Sequence, residues 1–308
     1  MHSMPKKHAE IVWKILFGLY YFFPKCGKIY IIISIEEIVM KKQELAAMRI
    51  LYISAIVFSV LFACLRSYMV LTGYDAASGF YTSEALHNIL RYGLLVFAVL
   101  AFAAGHIYIK EENPVSPLPE TRFSRAGACI LGATMCGFVL YTLAKCLLFR
   151  RADTADLIAC PFALLAALYQ WTNLRGRRRT GDYRGLLTLC SALVCLVIVF
   201  GLYFNPKLSY INHTVVLAFA AFVFLMLTAA AEANFEIRRS AYRRFFSYAP
   251  VSMTLAFTLS IPDLLYRFIR GSALLSEFYY DILLLAFGLY YLAKLTAILT
   301  VRDGKTED

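Results

Sequence analysis

Eight long apolar runs dominate this sequence of 308 residues. A bilayer core roughly 30 Å thick takes about 20 residues of helix to cross, and each run has about that length. By number the runs are 47–70, 88–109, 126–148, 154–174, 185–205, 209–231, 248–268 and 278–300. Because the runs are long and lack two-residue alternation, helices are favoured over the strands of a membrane barrel. The sequence therefore predicts an all-α, polytopic helical membrane protein with about eight transmembrane helices.

The composition supports this reading, because 60% of the residues are hydrophobic and 17% are charged. An ordinary soluble domain has roughly 45–50% apolar and about 25% charged residues. With a mean hydropathy of +0.64, the apolar excess has to face lipid. The connections between runs are short, which leaves no room for a soluble catalytic domain. We expect a multi-pass protein of the cell membrane, with the lipid bilayer as its main partner.

The net charge of +11 comes from residues in short loops, so we expect no nucleic-acid partner. With the N-terminus inside, 17 Lys and Arg fall on the cytoplasmic side: Lys41, Lys42, Arg49, Lys110, Arg122, Arg125, Arg175, Arg177, Arg178, Arg179, Arg184, Arg238, Arg239, Arg243, Arg244, Arg302 and Lys305. Eight fall on the other side: Arg66, Arg91, Lys145, Arg150, Arg151, Lys207, Arg267 and Arg270. This imbalance predicts that both termini are cytoplasmic.

The sequence RGRRR lies between the fourth and fifth runs and contains Arg175, Arg177, Arg178 and Arg179. A basic loop between two spans is typical of a topology determinant or of a contact with anionic lipid headgroups. Anionic lipid is therefore a second candidate partner, and the sequence indicates no particular protein partner.

Residues 1–39 form a separate segment with two short apolar runs, 11–23 and 29–35. Neither run is long enough to cross a bilayer. The segment is either an interfacial amphipathic region or an extension ahead of a natural start at Met40, and we expect the second. The domain organisation is then an N-terminal extension, 1–39, and a single eight-helix membrane domain, 40–308.

Common signatures of catalysis and cofactor binding do not occur in the sequence: it has no HExxH, GxSxG, Walker or GxGxxG motif. The eight cysteines lack the paired spacing of metal ligands and are interpreted as small packing residues. We expect no catalytic residue, no metal and no cofactor, although a site assembled from several helices stays open.

Ionisable residues in or beside the runs are the best candidates for a binding site, because such groups are costly in lipid and usually have a partner. They form three groups toward the predicted outer side, at the ends of the first and seventh runs and at the starts of the second and eighth. The substrate-binding candidates are Arg66, Glu84, His87, Arg91, Asp263, Arg267 and Asp281, with Arg270 and Glu277 beside them. The alternative is that these are interfacial charges that pair locally.

Asp263 is the strongest candidate because it follows Pro262, which removes a backbone donor and can kink the helix. The carboxylate either pairs with Arg267 one turn later or lines a cavity opposite Arg66 or Arg91. We predict an ion pair with an arginine of the same or an adjacent helix, because an unpaired carboxylate in lipid is costly.

Two further patterns predict structural contacts. Glu232 and Glu236 are followed by Arg239 and Arg243 at helical spacing, which predicts a charge-paired helix end. The third run repeats small residues every four positions around Gly132, which predicts close approach of another helix.

The segment YDAASGFYT after the first run resembles the D-x-x-[ST]-G-[FL] turn of integral membrane proteins from Gram-positive anaerobes. The matching residues are Asp75, Ser78, Gly79 and Phe80. Gly79 suits a turn that needs a positive φ, and the Asp75 side chain can cap nearby backbone amides. The resemblance implies no activity.

The function we expect is that of a transporter-like carrier for a small solute, because sparse intramembrane charge and a proline-broken seventh run are typical of such sites. A non-catalytic membrane sensor, accessory subunit or envelope scaffold is the alternative, favoured by the scarcity of polar residues at mid-membrane. A membrane-embedded enzyme acting on lipid ranks third. A cavity reaching mid-membrane would favour transport, and a lateral apolar groove on a solid bundle would favour a partner or lipid role.

Overall fold

The computed structural model describes residues 27–75, 80–81, 83–109, 121–149, 153–174, 182–205, 213–237, 242–271 and 278–304. Its helices are α1 (Gly27–Gly73), α2 (Glu84–Tyr108), α3 (Arg122–Ala144), α4 (Thr154–Leu174), α5 (Asp182–Phe204), α6 (His213–Glu236), α7 (Tyr242–Arg270) and α8 (Phe278–Gly304). A π-helical turn, Lys145–Phe149, extends α3. Two-residue strands, β1 (Tyr74–Asp75) and β2 (Phe80–Tyr81), pair antiparallel after α1.

Eight helical segments in the described residues are long and apolar enough to cross a membrane. They are Gln43–Gly73, Glu84–Tyr108, Arg122–Leu148, Thr154–Thr172, Tyr183–Phe204, His213–Glu236, Tyr242–Arg270 and Phe278–Thr300. The prediction of an all-α polytopic membrane protein is confirmed. A boundary between two compact units lies after Ala46, inside α1, and the contacts described below belong to the unit from Ala47 onward.

Polar residues set several of the helix ends. Ser83 caps α2 by accepting a hydrogen bond from the Leu86 amide at 3.5 Å, and Thr121 forms a capping box with Ser124 at the start of α3. Gly271, with φ of 67°, follows the last residue of α7 and has the left-handed conformation common after helices.

Several spans differ from the predicted boundaries. The second, third and seventh begin at Glu84, Arg122 and Tyr242 rather than at 88, 126 and 248, and the sixth ends at Glu236 rather than at 231. The predicted start of the sixth, 209–212, lies outside the described residues. The apolar scan follows hydrophobicity, whereas the helix itself continues into polar residues at the bundle ends, so the scan misplaces ends by a turn or more.

Helix α7 lies at the centre of the bundle. In its most apolar 18-residue stretch 83% of the residues are buried, against 28% for α2. It packs against α2, α6 and α8, while α3 packs against α4 and α8, and α5 lies between α4 and α6. Four of its buried hydroxyls donate to the carbonyl four residues earlier, which satisfies them inside the bundle: Ser247 to Arg243, Ser252 to Tyr248, Thr254 to Pro250 and Ser260 to Ala256.

Small residues allow close helix contacts in two places. A Cβ built on Gly132 would lie 3.1 Å from Cβ of Gln170 on α4, which agrees with the approach predicted from the small-residue repeat. A Cβ on Gly105 of α2 would lie 3.2 Å from Cα of Ser247 on α7, closer than an ordinary contact. These two glycines therefore hold α3 against α4 and α2 against α7.

The interpretation of the cysteines as packing residues is only partly right. Cys160, Cys190 and Cys195 are buried, but Cys64, Cys129 and Cys136 are exposed on helix surfaces. In a membrane these surfaces face lipid, where a thiol behaves as a small apolar group and needs no buried position.

Candidate functional site

A fully buried ion pair joins α1 to α7. Arg66 Nη2 lies 2.6 Å from Asp263 Oδ1, and both side chains are 0% exposed. The predicted pairing of Asp263 with an arginine of the same or an adjacent helix is confirmed. The partner is Arg66 of α1 rather than Arg267 one turn later, since the Arg267 guanidinium carbon lies 4.9 Å from the ring centroid of Phe278.

Arg66 also compensates for the proline in α7. Pro262 has no N–H, so the carbonyl four residues earlier, that of Thr258, has no intrahelical donor. Arg66 Nη1 donates to this carbonyl at 3.1 Å and to the Leu259 carbonyl at 2.9 Å. A single guanidinium thus neutralises Asp263 and satisfies backbone groups at the proline break.

Two more charged groups lie beside this pair, and we call Arg66, Asp263, Arg267 and Asp281 together the Arg66 cluster. Asp281, in the first turn of α8, is 1% exposed and has Coulomb interactions with the other three. Neither of its carboxylate oxygens has a hydrogen-bond partner among the described residues, and the same holds for Arg267 Nε and Nη2. The cluster combines one close ion pair with a buried carboxyl group and a half-buried guanidinium whose Nε and Nη2 lack hydrogen-bond partners in the described structure.

Arg66 pairs with Asp263 and also has a Coulomb interaction with Tyr81, whose ring centroid lies 5.7 Å from that of His87 on the predicted face of α2. Glu84 and Arg91 are exposed, while His87 is 7% exposed and neither of its ring nitrogens has a hydrogen-bond partner in the described structure. His87 also meets His213 of α6, with ring centroids 3.6 Å apart. The sequence gives one hint of this contact, since both residues occupy the first turn of a span on the same predicted side.

A cavity of about 510 Å³ begins at this histidine pair. Helices α2 and α6 form its sides and α7 forms its floor, because α2 and α6 both pack against α7 and meet each other at the histidine pair. Its lining is mostly apolar: His87, Leu90, Arg91, Leu94, Leu95, Phe97, Ala98, His213, Val216, Leu217, Ala220, Phe224, Val251, Thr254 and Leu255. Leu95 and Val216, exposed to 58% and 53%, show that its side opens on the bundle surface.

The cavity extends to the middle of the bundle. On α6 its lining runs from His213 to Phe224, half the length of the helix, and on α2 it runs from His87 to Ala98. At a rise of 1.5 Å per residue this is about 16 Å. Thr254, on the buried face of α7, is the polar residue near the deep end, and its hydroxyl also lies 3.2 Å from Ser59 Oγ of α1.

A second buried charged network lies at the other end of the bundle, and we call it the Glu232 cluster. Glu232 of α6 receives hydrogen bonds from Tyr169 of α4, at 3.2 Å, and from Tyr290 of α8. Lys294 Nζ of α8 lies 3.3 Å from Glu232 Oε1. The carboxylate therefore has a charged partner and two hydroxyl donors.

Glu236 completes the Glu232 cluster one turn later. It accepts a hydrogen bond from the same Tyr169 hydroxyl at 2.9 Å, and Arg184 Nε of α5 lies 3.6 Å from its Oε2. Sequence reasoning expected pairing with Arg239 and Arg243 instead. Arg243 donates to the Ile109 carbonyl at 3.1 Å, and Arg239 lies outside the described residues. The pairing is interhelical, and helical spacing could not reveal it.

Several predicted residues lie outside the described part of the chain. They are Arg175, Arg177, Arg178, Arg179, Glu277 and the turn residues Ser78 and Gly79. Within the described ranges, no three His, Cys, Asp or Glu side chains are grouped to hold a metal ion.

The chain was compared with protein-family models, with curated proteins and with solved structures, and nothing matches in any of the three. A function therefore has to be inferred from the geometry of the cavity and of the two clusters.

Proposed function

We propose that this protein is a carrier that moves a small amphipathic solute across the cell membrane. The cavity between α2, α6 and α7 carries the proposal, because it runs from one end of the bundle to its middle. Its volume of about 510 Å³ lies within the roughly 300–1,000 Å³ typical of small-molecule sites. A mostly apolar lining with a polar end matches a solute that has one polar and one apolar part.

The construction of α7 supports movement of the cavity floor. Carriers commonly place their sites beside interrupted helices near the bilayer midplane. Pro262 interrupts the backbone hydrogen bonds of α7, and Arg66 on a different helix donates to the freed Thr258 carbonyl and to the neighbouring Leu259 carbonyl. A rearrangement that separates α1 from α7 would therefore have to exchange the partners of both Arg66 and Asp263.

The test uses the full chain reconstituted in vesicles that contain one of three radiolabelled ten-carbon probes. Decanesulfonate has an anionic head, decyl glucoside a neutral head and decyltrimethylammonium a cationic head. We expect at least one probe to leave these vesicles faster than protein-free vesicles. Ala98→Trp, inside the cavity, should abolish the difference, whereas Val99→Trp, on the adjacent surface position that is 59% exposed, should preserve it.

Equal efflux of all three probes with and without protein would overturn the carrier proposal. Saturable binding of a probe without efflux would favour the second candidate, a membrane sensor or accessory subunit that recognises the same solute. One observation favours that candidate: the described lining stops near Thr254 instead of continuing to the opposite end of the bundle.

A further inference from the structure

We infer that the cavity binds a single-chain amphiphile with an anionic headgroup, the head lying at His87, His213 and Arg91 and the alkyl chain lying along α2 and α6 toward Thr254. This inference deepens the proposed carrier function by naming the class of solute. It rests on charge, unsatisfied hydrogen-bonding groups and the shape of the lining.

The polar end of the cavity is suited to an anion. Arg91 is the charged side chain among the described lining residues, and no carboxylate lines the cavity. Glu84, one turn before His87, is exposed and is not part of the lining. A positive group at an apolar cavity favours an anionic head and disfavours a cationic one.

His87 provides the hydrogen-bonding group that this head needs. It is buried to more than nine-tenths and lines the cavity, yet neither Nδ1 nor Nε2 has a partner among the described residues. An imidazole has an N–H donor in either protonation state. A buried polar group without a hydrogen-bond partner is destabilising. A ligand oxygen that accepts a hydrogen bond from the His87 imidazole would remove this cost, which would favour binding.

The rest of the lining matches one alkyl chain. From Leu94 on α2 and Leu217 on α6 downward, the walls are apolar until Thr254. The lined length is about 16 Å at 1.5 Å per residue, and the volume is that of a site for one small molecule. The side opening beside Leu95 and Val216 allows entry from the lipid phase. A long, narrow apolar space with a single cationic end fits one chain and one acidic head.

Binding is tested with the full chain in phosphatidylcholine nanodiscs and radiolabelled decanesulfonate, with empty nanodiscs subtracted. We expect saturable binding that unlabelled decanesulfonate displaces at least tenfold better than decyl glucoside or decyltrimethylammonium does. Equal displacement by all three would overturn the inference, because the head would then not be recognised. Absence of saturable decanesulfonate binding would overturn it as well.

Substitutions at Arg91 and His87 test where the ligand headgroup binds. Arg91→Gln and His87→Leu should each weaken decanesulfonate binding about tenfold, and Arg91→Lys should retain most of it. Arg122→Gln removes an exposed charge at the other end of the bundle and should leave binding unchanged. Because Arg91 is exposed, Arg91→Gln is expected to fold, so the test does not depend on the buried His87 variant. Unchanged affinity in Arg91→Gln would contradict the proposed head position.

Nanodiscs that contain phosphatidylglycerol distinguish a single-chain ligand from a bilayer phospholipid. We expect phosphatidylglycerol to leave decanesulfonate binding unchanged, and full displacement would show that a two-chain lipid occupies the cavity, against the inference.

The carrier proposal and this inference can be overturned separately. If a probe is transported while Arg91→Gln and His87→Leu behave as wild type, the carrier stands and this inference falls. If decanesulfonate binds with the expected dependences but no probe moves, the inference stands and the carrier falls.

Discussion

The Arg66 cluster and the Glu232 cluster each combine two positive and two negative side chains at opposite ends of the bundle, and all of them are buried except Arg267, which is half-buried. In the Glu232 cluster both carboxylates have a cationic partner within 4.0 Å and a tyrosine hydroxyl donor. In the described part of the Arg66 cluster only Asp263 has a cationic partner within 4.0 Å, and no tyrosine hydroxyl donates to it. The oxygens of Asp263 and Asp281 and part of the Arg267 guanidinium have no hydrogen-bond partner there. The two networks have the same formal charge and differ in how completely it is satisfied.

We therefore interpret the Glu232 cluster as a structural network and the Arg66 cluster as a network whose contacts can change. Satisfied buried networks rigidify the helices that they join, and the Glu232 cluster joins α4, α5, α6 and α8. A partly satisfied network stores unfavourable free energy that an altered helix arrangement can release. The Arg66 cluster also lies beside Pro262 of the central helix, so we expect its contacts to change first when the helices rearrange.

The largest expected effect is an all-or-none difference in cysteine labelling, which shows which end of the bundle faces outward. A cysteine-free chain carrying Arg178→Cys should resist an impermeant maleimide in intact cells, whereas Lys207→Cys should react, because the 17-to-eight charge imbalance puts position 178 inside. Both should react once the cells are permeabilised. The opposite labelling pattern would exchange the two ends and put the Arg66 cluster on the cytoplasmic side.

Arg66→Met should cause the largest loss of stability, about 5 kcal/mol of unfolding free energy, because it leaves Asp263 buried without its ion-pair partner. It also leaves the Thr258 carbonyl without a donor. Adding Pro262→Ala restores a backbone N–H, so this second change should be about 1 kcal/mol more favourable in the Arg66→Met background than in the wild type. Unfolding by SDS in mixed micelles gives all four free energies. A zero coupling energy would contradict the role of Arg66 at the proline break.

Glu232→Gln should cost about 3 kcal/mol, because the amide still accepts from the tyrosines but Lys294 loses its ionic partner. The double variant Glu232→Gln with Lys294→Met should recover most of the loss, since no buried charge is then left alone. Glu84→Gln, an exposed position, is the control and should change stability by less than about 0.5 kcal/mol. Failure of the double variant to recover would show that the cluster does more than pair charges.

Much of the fold could be predicted because apolar runs of membrane length have few alternative structures. The eight spans are such runs, and only their polar ends were misplaced. The contacts of charged residues were harder, because Arg66 and Asp263 meet through packing of helices that are remote in sequence. Pro262 identifies a carbonyl that needs a donor, but helical spacing gives no means to identify Arg66 as that donor. For the same reason helical spacing does not pair His87 with His213, and it predicts for Glu232 and Glu236 the nearby Arg239 and Arg243 instead of partners on other helices.

The smallest expected change in the free energy of unfolding is that caused by a substitution at Asp281. Its sign is opposite to the change expected for substitutions in the Glu232 cluster. Asp281→Asn replaces a buried carboxyl group whose oxygens have no hydrogen-bond partner in the described structure, and an amide is less costly to bury than a carboxylate. The change should therefore leave stability unaltered or raise the unfolding free energy by up to about 1 kcal/mol. Glu236→Gln, which separates a charge pair with Arg184, should lower it in the same mixed-micelle assay. If Asp281→Asn destabilises the protein as strongly as Glu236→Gln does, Asp281 is held as firmly as the acids of the Glu232 cluster. The contrast between the well-satisfied Glu232 cluster and the partly satisfied Arg66 cluster would then fail at Asp281, the residue on which it depends most.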